Sequence, residues 1–314
     1  MSNDFSKEIY FFGKHVQFSL KRIKRIIKYG SPRKIDKHQI FQYNAALTAI
    51  IKNEAPYILE WIEYHRLIGF TRFYLYDNDS EDNLANVLAP YIEAGIVNLE
   101  HLHGKKQQLH AYELAIKKSK NESKWLAVID LDEFITIKHN SSINAFLSEY
   151  DNRDISEILL GWKIFGSNNQ RSKKEGLVIE RFTRRGSAKT PIAYKAILNP
   201  RKFLDFLHPH YAFVTGKVID GDGKRMYYYP FKEDKYLPSS LLENASINHY
   251  YTKSYDEFIA KSSRGFADGV ETKRNARGKK DFDFYDRNEI LDDSLTKYAP
   301  KIKNRISKLP TISW

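Results

Sequence analysis

The sequence predicts an α/β protein: a Rossmann-like, mixed but mainly parallel sheet flanked by helices, with additional N- and C-terminal helices. Three observations carry this expectation. Short apolar runs alternate with helix-period segments between Ala45 and Ile129, in the order β-α-β-α-β-α-β, and parallel strands require such crossovers. The last of these runs, Trp125 to Ile129, is continuously apolar, as a strand buried on both faces is. Polar clusters follow three of the runs directly, where sheets of this class bind ligands beyond their carboxyl ends.

Each element follows from its own residues. AALTAII (45–51) reads as a strand, and NEAPYILEWIEYHRLIG (53–69) as a helix with Pro56 in its first turn and Gly69 at its stop. Trp61, Tyr64 and His65 on that helix read as core. FTRFYLYDN (70–78) is a strand, DNLANVLAPYIEAG (82–95) a helix that Pro90 would kink, and IVNLEHL (96–102) a strand. Residues 105–119 read as helix, and WLAVID (125–130) as the fourth strand. Further on, Ser142 to Tyr150 predicts a short helix, SEILLGWKIFG (156–166) a strand, and 176–230 short strands and loops. SINHYYTKS (246–254) leads into a helix from Tyr255 to Arg264 that Gly265 ends, and 286–308 reads as a basic helical tail. The expected organisation is a basic helical segment (1–42), a central domain (43–270) and a basic C-terminal tail (271–314).

Composition narrows the function. The chain of 314 residues has no cysteine, which excludes disulfides, thiolate metal sites and thiol nucleophiles. It holds 21 tyrosines and 19 phenylalanines, so the core is aromatic-rich. No run is long enough to span a bilayer, and MSNDFSKEIY lacks the features of a signal peptide, so the expected location is cytoplasmic. A formal charge of +12 favours anionic partners. No nucleic-acid reader motif organises these bases, so nucleic acid is not the expected partner. Residues 14–37 carry nine Lys or Arg against one acid, Asp36, with Phe18, Leu20, Ile23, Ile26 and Ile27 at helical spacing. Such a helix can lie on the inner face of a membrane; the favoured reading is a helix packed on the domain with a solvated basic face.

The polar clusters are Lys52-Asn53-Glu54, Asp77-Asn78-Asp79 and Asp130-Leu131-Asp132-Glu133. Helix capping accounts for Asp82 and Asn53. It does not account for the acids after residue 129, because Phe134 and Ile135 continue the apolar run with no helix start. An Asp-x-Asp pair converging in a turn can hold Mg²⁺ or Mn²⁺ on substrate phosphates.

The segments KNEAPYILEWIEYHRLIGFTRFYLYDNDSEDN, WLAVIDLDEFI and INHYYTKSYDEFIAKSSRG closely resemble bacterial members of the glycosyltransferase family 2-like and family 92 group, over about residues 45 to 265. The resemblance implies a GT-A fold with a nucleotide-binding half (43–140) and an acceptor-binding half (141–270). It implies sugar transfer from a nucleotide-sugar donor assisted by Mn²⁺ or Mg²⁺; family 92 is associated with UDP-galactose and inversion. Carried onto this sequence, Asp130 and Asp132 match the DxD, with Asp132 the direct metal ligand and Asp130 on ribose or a metal-bound water. Glu133 lies in the same motif. Asn53, Glu54 and Asp77 frame the nucleoside, His249 completes the metal shell, Lys253 and Arg264 neutralise the diphosphate, and Gln107 contacts the donor. Trp162 and Phe165 are candidates to stack an acceptor sugar, or core aromatics.

Inversion needs a general base. The candidates are His210, Asp220, Asp222 and Glu233, with Asp234 beside the last; His208 and His210 also have the spacing of a metal pair. The leading expectation is a metal-dependent glycosyltransferase acting on a saccharide or lipid-linked acceptor in bacterial surface polysaccharide synthesis. The alternatives are a nucleotidyltransferase or nucleotide-sugar hydrolase, and a basic nucleic-acid-binding protein.

Overall fold

The computed structural model describes residues 2–29, 39–138, 142–151, 153–187, 193–226, 243–263 and 278–310. The chain runs α1 (Ser2–Tyr29), β1 (Tyr43–Ile51), α2 (Ala55–Leu67), β2 (Arg72–Asp77), α3 (Leu84–Glu93), β3 (Val97–His101), α4 (Gln108–Glu122) and β4 (Ser123–Val128). It continues through β5 (Glu133–Ile137), α5 (Ile143–Ser148), β6 (Ile155–Ile164), α6 (Val178–Arg181), β7 (Arg184–Arg185) and β8 (Tyr194–Leu198). Then come β9 (Phe203–His208), β10 (Tyr211–Val214), β11 (Lys217–Asp220), β12 (Arg225–Met226) and β13 (Ala245–His249). Last are α7 (Tyr255–Ser263), α8 (Lys279–Tyr285), β14 (Ile290–Leu291) and α9 (Ala299–Ile306).

The expected α/β architecture is present. β3, β2, β1 and β4 lie side by side and parallel. β8 then runs antiparallel between β4 and β6, and β11 lies parallel to β6. β1 shows why the sheet is covered twice. Ala45, Leu47, Ala49 and Ile51 enter one core with side chains of α2, α3 and α9. Ala46 enters a second core with Ala111, Tyr112 and Ala115 of α4 and Phe206 and Ala212 of the β9–β10 hairpin.

A smaller strand pair positions the acids that follow β4. β13 pairs antiparallel with β5 and parallel with β6, which sets His249 opposite Glu133 and beside Ile164. Helix α2 clamps β5 from behind. Trp61 Nε1 donates to the Glu133 carbonyl at 2.9 Å, and the Tyr64 hydroxyl donates to the Ile135 carbonyl at 2.7 Å. His65 closes the clamp: Nδ1 donates to the Trp61 carbonyl at 2.8 Å, so Nε2 is left to accept from Ile135 N–H at 3.3 Å. All three side chains are core, as expected.

Three expectations are corrected. Asp82 does not cap its own helix; its Oδ2 accepts from Ala55 N–H and caps α2 from the neighbouring loop. The tail from 286 is helical only from residue 296 onward. Before that, Asp286 and Asn288 accept from Ser167 and Asn168 N–H, and Ile290–Leu291 pairs with β7; such local side-chain bonds compete with helix. The N-terminal helix packs on the domain, through Phe18 stacked on Phe213 and Arg25 paired with Asp205. Its solvent side carries the exposed Lys21, Lys24 and Lys28, as expected, but also the exposed Leu20, Ile23 and Ile27, while Arg22 and Arg25 are half-buried.

Two outcomes follow for the clamp. Tyr64→Phe removes one donor to β5 and should cost about 1 kcal/mol in urea denaturation. Burial pushes His65 down to about 3, below the unfolded value near 6.5. The unfolded chain therefore binds the extra proton between these values, so the His65 contribution is complete above about pH 6.5 and is lost as pH falls towards 3. An NMR titration should show its ring still neutral at pH 5.

Candidate active site

The carboxyl edge of the parallel strands gathers the polar clusters. Four non-glycine residues in the loops of this edge have left-handed backbone: Asn53 (φ 54°), Asp79 (φ 56°), Lys106 (φ 63°) and Lys253 (φ 49°). Such residues cost energy and persist where the surrounding structure holds them. Asn53 N–H donates to Ser80 Oγ, and Asn53 Oδ1 accepts from Glu81 N–H, tying the first loop to the second. Asp77 accepts from Ser80 N–H and lies 3.0 Å from His101 Nδ1. Glu54 is the N-cap residue of α2 and is buried.

Beyond β4 the chain turns sharply. Glu133 N–H donates to the Asp130 carbonyl at 3.2 Å, and Asp130 N–H donates to Glu133 Oε2 at 2.8 Å. This reciprocal pair closes the turn that brings the acids together, which assigns Glu133 a task. Glu133 is fully buried, and its Oε1 has no hydrogen-bond partner among the described residues. Burial, helped by Asp130 and Asp132, pushes its carboxyl well above the usual range despite Lys195 nearby. Glu133 therefore holds a proton more readily than its two acidic neighbours.

Asp130 and Asp132 take separate cations. Asp130 Oδ1 accepts from the Tyr112 hydroxyl at 3.0 Å and from Gln108 Nε2 at 3.3 Å; its Oδ2 lies 2.8 Å from Lys195 Nζ. Burial alone would raise the Asp130 carboxyl, and the Lys195 ammonium holds it below the usual range. Asp132 is buried and paired with Lys261 of α7, with His249 Nε2 at 3.4 Å. Burial again opposes ionisation, and the Lys261 ammonium, His249 and Lys253 outweigh it, holding the carboxyl well down. The Lys253 Nζ also sits over the Tyr57 ring at 4.3 Å.

His249 is buried and its proton affinity is lowered, chiefly by burial, so the imidazole is neutral as a metal ligand requires. Among the described residues, its Nδ1 and the Nε1 of Trp162 are buried without hydrogen-bond partners, and the two rings lie 4.1 Å apart. Buried polar atoms left so are accounted for by strain, a catalytic role, or a water or ion. Among the described residues no group of three or more His, Asp or Glu side chains is gathered for a metal. The side chains here that could supply ligands to Mn²⁺ or Mg²⁺ are Asp132, now paired with Lys261, and His249; such ions keep waters and take substrate phosphates as further ligands.

The other expected residues divide. His210 is at the site: its Nδ1 donates to the Tyr194 carbonyl at 2.8 Å and its ring lies 5.0 Å from Trp162. Burial, with Lys195 and His208, pushes it down to about 3, which makes it a weak base. Asp220 is not at the site. Its Oδ1 accepts from Asp222 and Lys224 N–H within its own turn, and β11 lies three strands from β4, about 14 Å. Asp222 accepts from Asn244 N–H in the same region. Phe165 is fully buried against Tyr250, so it is core and not an acceptor platform. Gln107 donates to the Lys105 carbonyl, and its neighbour Gln108 is the one that reaches Asp130. Arg264, Glu233 and Asp234 lie outside the described residues.

Comparison with known proteins decides the family. The description "Glycosyltransferase family 92" matches residues 49–283. The chain belongs to glycosyltransferase family 92. A family 92 protein of Arabidopsis thaliana is 23% identical over 260 residues, covering 79% of this chain and 42% of that protein. One of Oryza sativa subsp. japonica is 26% identical over 169 residues, covering 53% and 28%. This chain thus spans less than half of these plant relatives. Among solved structures, TarS of S. aureus in complex with UDP has a TM-score of 0.33 at 14% identity, covering 50% of this chain and 47% of that one. The mannosyltransferase PcManGT of Pyrobaculum calidifontis, in complex with GDP-Man and Mn²⁺, has a TM-score of 0.32 at 12% identity, covering 50% and 45%.

Sequence reading of this family 92 chain missed Lys195, Lys261, Gln108 and Tyr112. Lys195 had a signal: a lone lysine in the otherwise apolar AYKAIL. Lys261 lies on α7, three residues before Arg264 in a segment already singled out. Lys195→Met leaves Asp130 without its cation; with that carboxylate a third exposed, the cost should be about 2–4 kcal/mol in urea denaturation. Adding Asp130→Asn should restore much of it.

Proposed function

We propose that this chain is a metal-dependent glycosyltransferase of GT-A type that moves a sugar from a nucleotide-sugar donor, a UDP-sugar with inversion, to a saccharide or lipid-linked acceptor. The convergence of Asp130, Asp132 and His249 at the carboxyl end of β4, in a family 92 chain, carries this reading. Asp132 and His249 would hold Mn²⁺ or Mg²⁺, which supplies positive charge where a departing diphosphate gains negative charge. The chain's own residues do the rest. Lys261 and Lys253 add cationic charge at the same place, and Arg264 is the further candidate. Asn53, Glu54 and Asp77 frame the nucleoside from the loops after β1 and β2.

Asp130 has both oxygens engaged by Tyr112, Gln108 and Lys195, so its part is to orient the turn and face the ribose. Trp162, between His249 and His210, offers an indole face to an acceptor sugar. Of the candidates for general base, Asp220 and Asp222 are held elsewhere and His210 is a weak base, which leaves Glu233 as the candidate to test by substitution. A bacterial surface polysaccharide or glycolipid is the acceptor class that suits the basic charge, and it would keep the protein at the cytoplasmic face of a membrane.

A donor screen tests the reading. Calorimetry across UDP-, GDP-, CMP- and dTDP-sugars should find one donor that binds only with Mn²⁺ or Mg²⁺, and Asp132→Ala should lose that binding while staying folded. No binding by any donor, or a variant that binds like the wild type, sinks the proposal. Turnover that needs only water and ignores saccharide acceptors would reassign the chain as a nucleotide-sugar hydrolase.

A further inference from the structure

Helix α1 is mounted with its apolar side outward. Ile9, Phe12, Val16, Leu20, Ile23 and Ile27 are 41–78% exposed. The side turned to the domain carries Phe18, stacked on Phe213 at 5.0 Å, and Arg25, 3.1 Å from Asp205. At 3.6 residues per turn the six apolar positions fall within about 80° of arc, opposite that packed side. Amphipathic helices on a protein surface normally show the reverse arrangement, apolar side in. Six such residues in line form a contiguous exposed patch of the kind that marks an interaction site.

The flanking charge identifies what covers it. Ile9 and Leu20, Phe12 and Ile23, and Val16 and Ile27 are each eleven residues apart. An eleven-residue repeat drifts about 20° per repeat on an α-helix, as a heptad does in the opposite sense, so over this short length the stripe keeps to one side of α1. Exposed Lys21, Lys24 and Lys28 line one flank, and no acid occurs between Ile9 and Tyr29. Lysines placed so can lay their stems along the apolar boundary and reach anionic headgroups.

We propose that the outward face of α1 docks on an anionic lipid bilayer, helix axis parallel to the surface, with the apolar stripe about 5–10 Å deep. The mounting gives this surface a bearing on the site. Phe213 and Asp205, which hold α1, belong to the β9–β10 hairpin, and His210 at the tip of that hairpin lies beside Trp162. Docking therefore brings the acceptor side of the cleft to the plane where lipid-linked saccharides lie. The bilayer surface stands on α1 alone; only this last consequence rests on the proposed transfer reaction.

The test uses the full chain and vesicle flotation with phosphatidylcholine alone or mixed with phosphatidylglycerol. The wild type should float with the anionic vesicles, float little with the neutral ones, and dissociate as salt rises. Ile23→Glu with Ile27→Glu should lower partitioning at least tenfold, with an unchanged melting temperature because both residues are exposed. Lys21→Gln and Lys24→Gln, which leave the apolar stripe intact, should each lower it about fivefold. Absence of wild-type binding, or undiminished binding by these variants, overturns the proposal. So does a concentration-dependent dimer that Ile23→Glu with Ile27→Glu dissociates and lipid does not affect, which would assign the stripe to a second copy. Donor binding measured on the same samples separates this outcome from a failure of the transfer reading.

Discussion

Three carboxyl groups within four residues, at the end of a buried strand, can coexist only if each charge is answered. Two cations and a raised proton affinity do this. Lys195 answers Asp130, Lys261 answers Asp132, and burial with two acidic neighbours disfavours a third negative charge on Glu133. Each answer comes from a different part of the chain, so much of the second half of the protein is organised around this turn. β8 must run antiparallel beside β4 to deliver Lys195. β13 must insert between β5 and β6 to deliver His249, and α7 must follow it closely to deliver Lys261.

The two aspartates then differ in kind, although the motif presents them as a pair. Asp130 is engaged on both oxygens by Tyr112, Gln108 and Lys195, all three buried. Such a group holds geometry. Asp132 is bound to a lysine on a peripheral helix and to a histidine with an orphaned ring nitrogen. Its cation can be exchanged without dismantling the core, whereas the cation of Asp130 cannot. The clamp from α2 serves the same division, fixing the backbone of Glu133 and Ile135 so that the turn before them stays tight.

The legibility of these features tracks the range of the interactions behind them. Pro56 at the start of α2, Gly69 at its end and the apolar run before Asp130 are local signals, and each element appeared where they put it. The capping role of Asp82 was readable in type and wrong in partner, because the helix it caps starts 27 residues earlier. Asp220 and Asp222 read as candidate bases in IDGDGK, and one oxygen of each accepts from backbone N–H groups of that region. Phe165 was open between platform and core and is core, since an aromatic at a strand end carries no mark of which side it faces.

The sequence by itself determined the class of fold, the edge at which the site lies and the family resemblance, because periodicity, turn residues and a motif in a fixed order are properties of short segments. Only the tertiary structure decided which cation answers which acid, that Glu133 is buried beside the two aspartates, and that α1 turns its apolar stripe outward. Those facts depend on contacts between residues up to 195 positions apart, as for Phe18 and Phe213. Burial and charge at such contacts are set by packing, which no local pattern encodes.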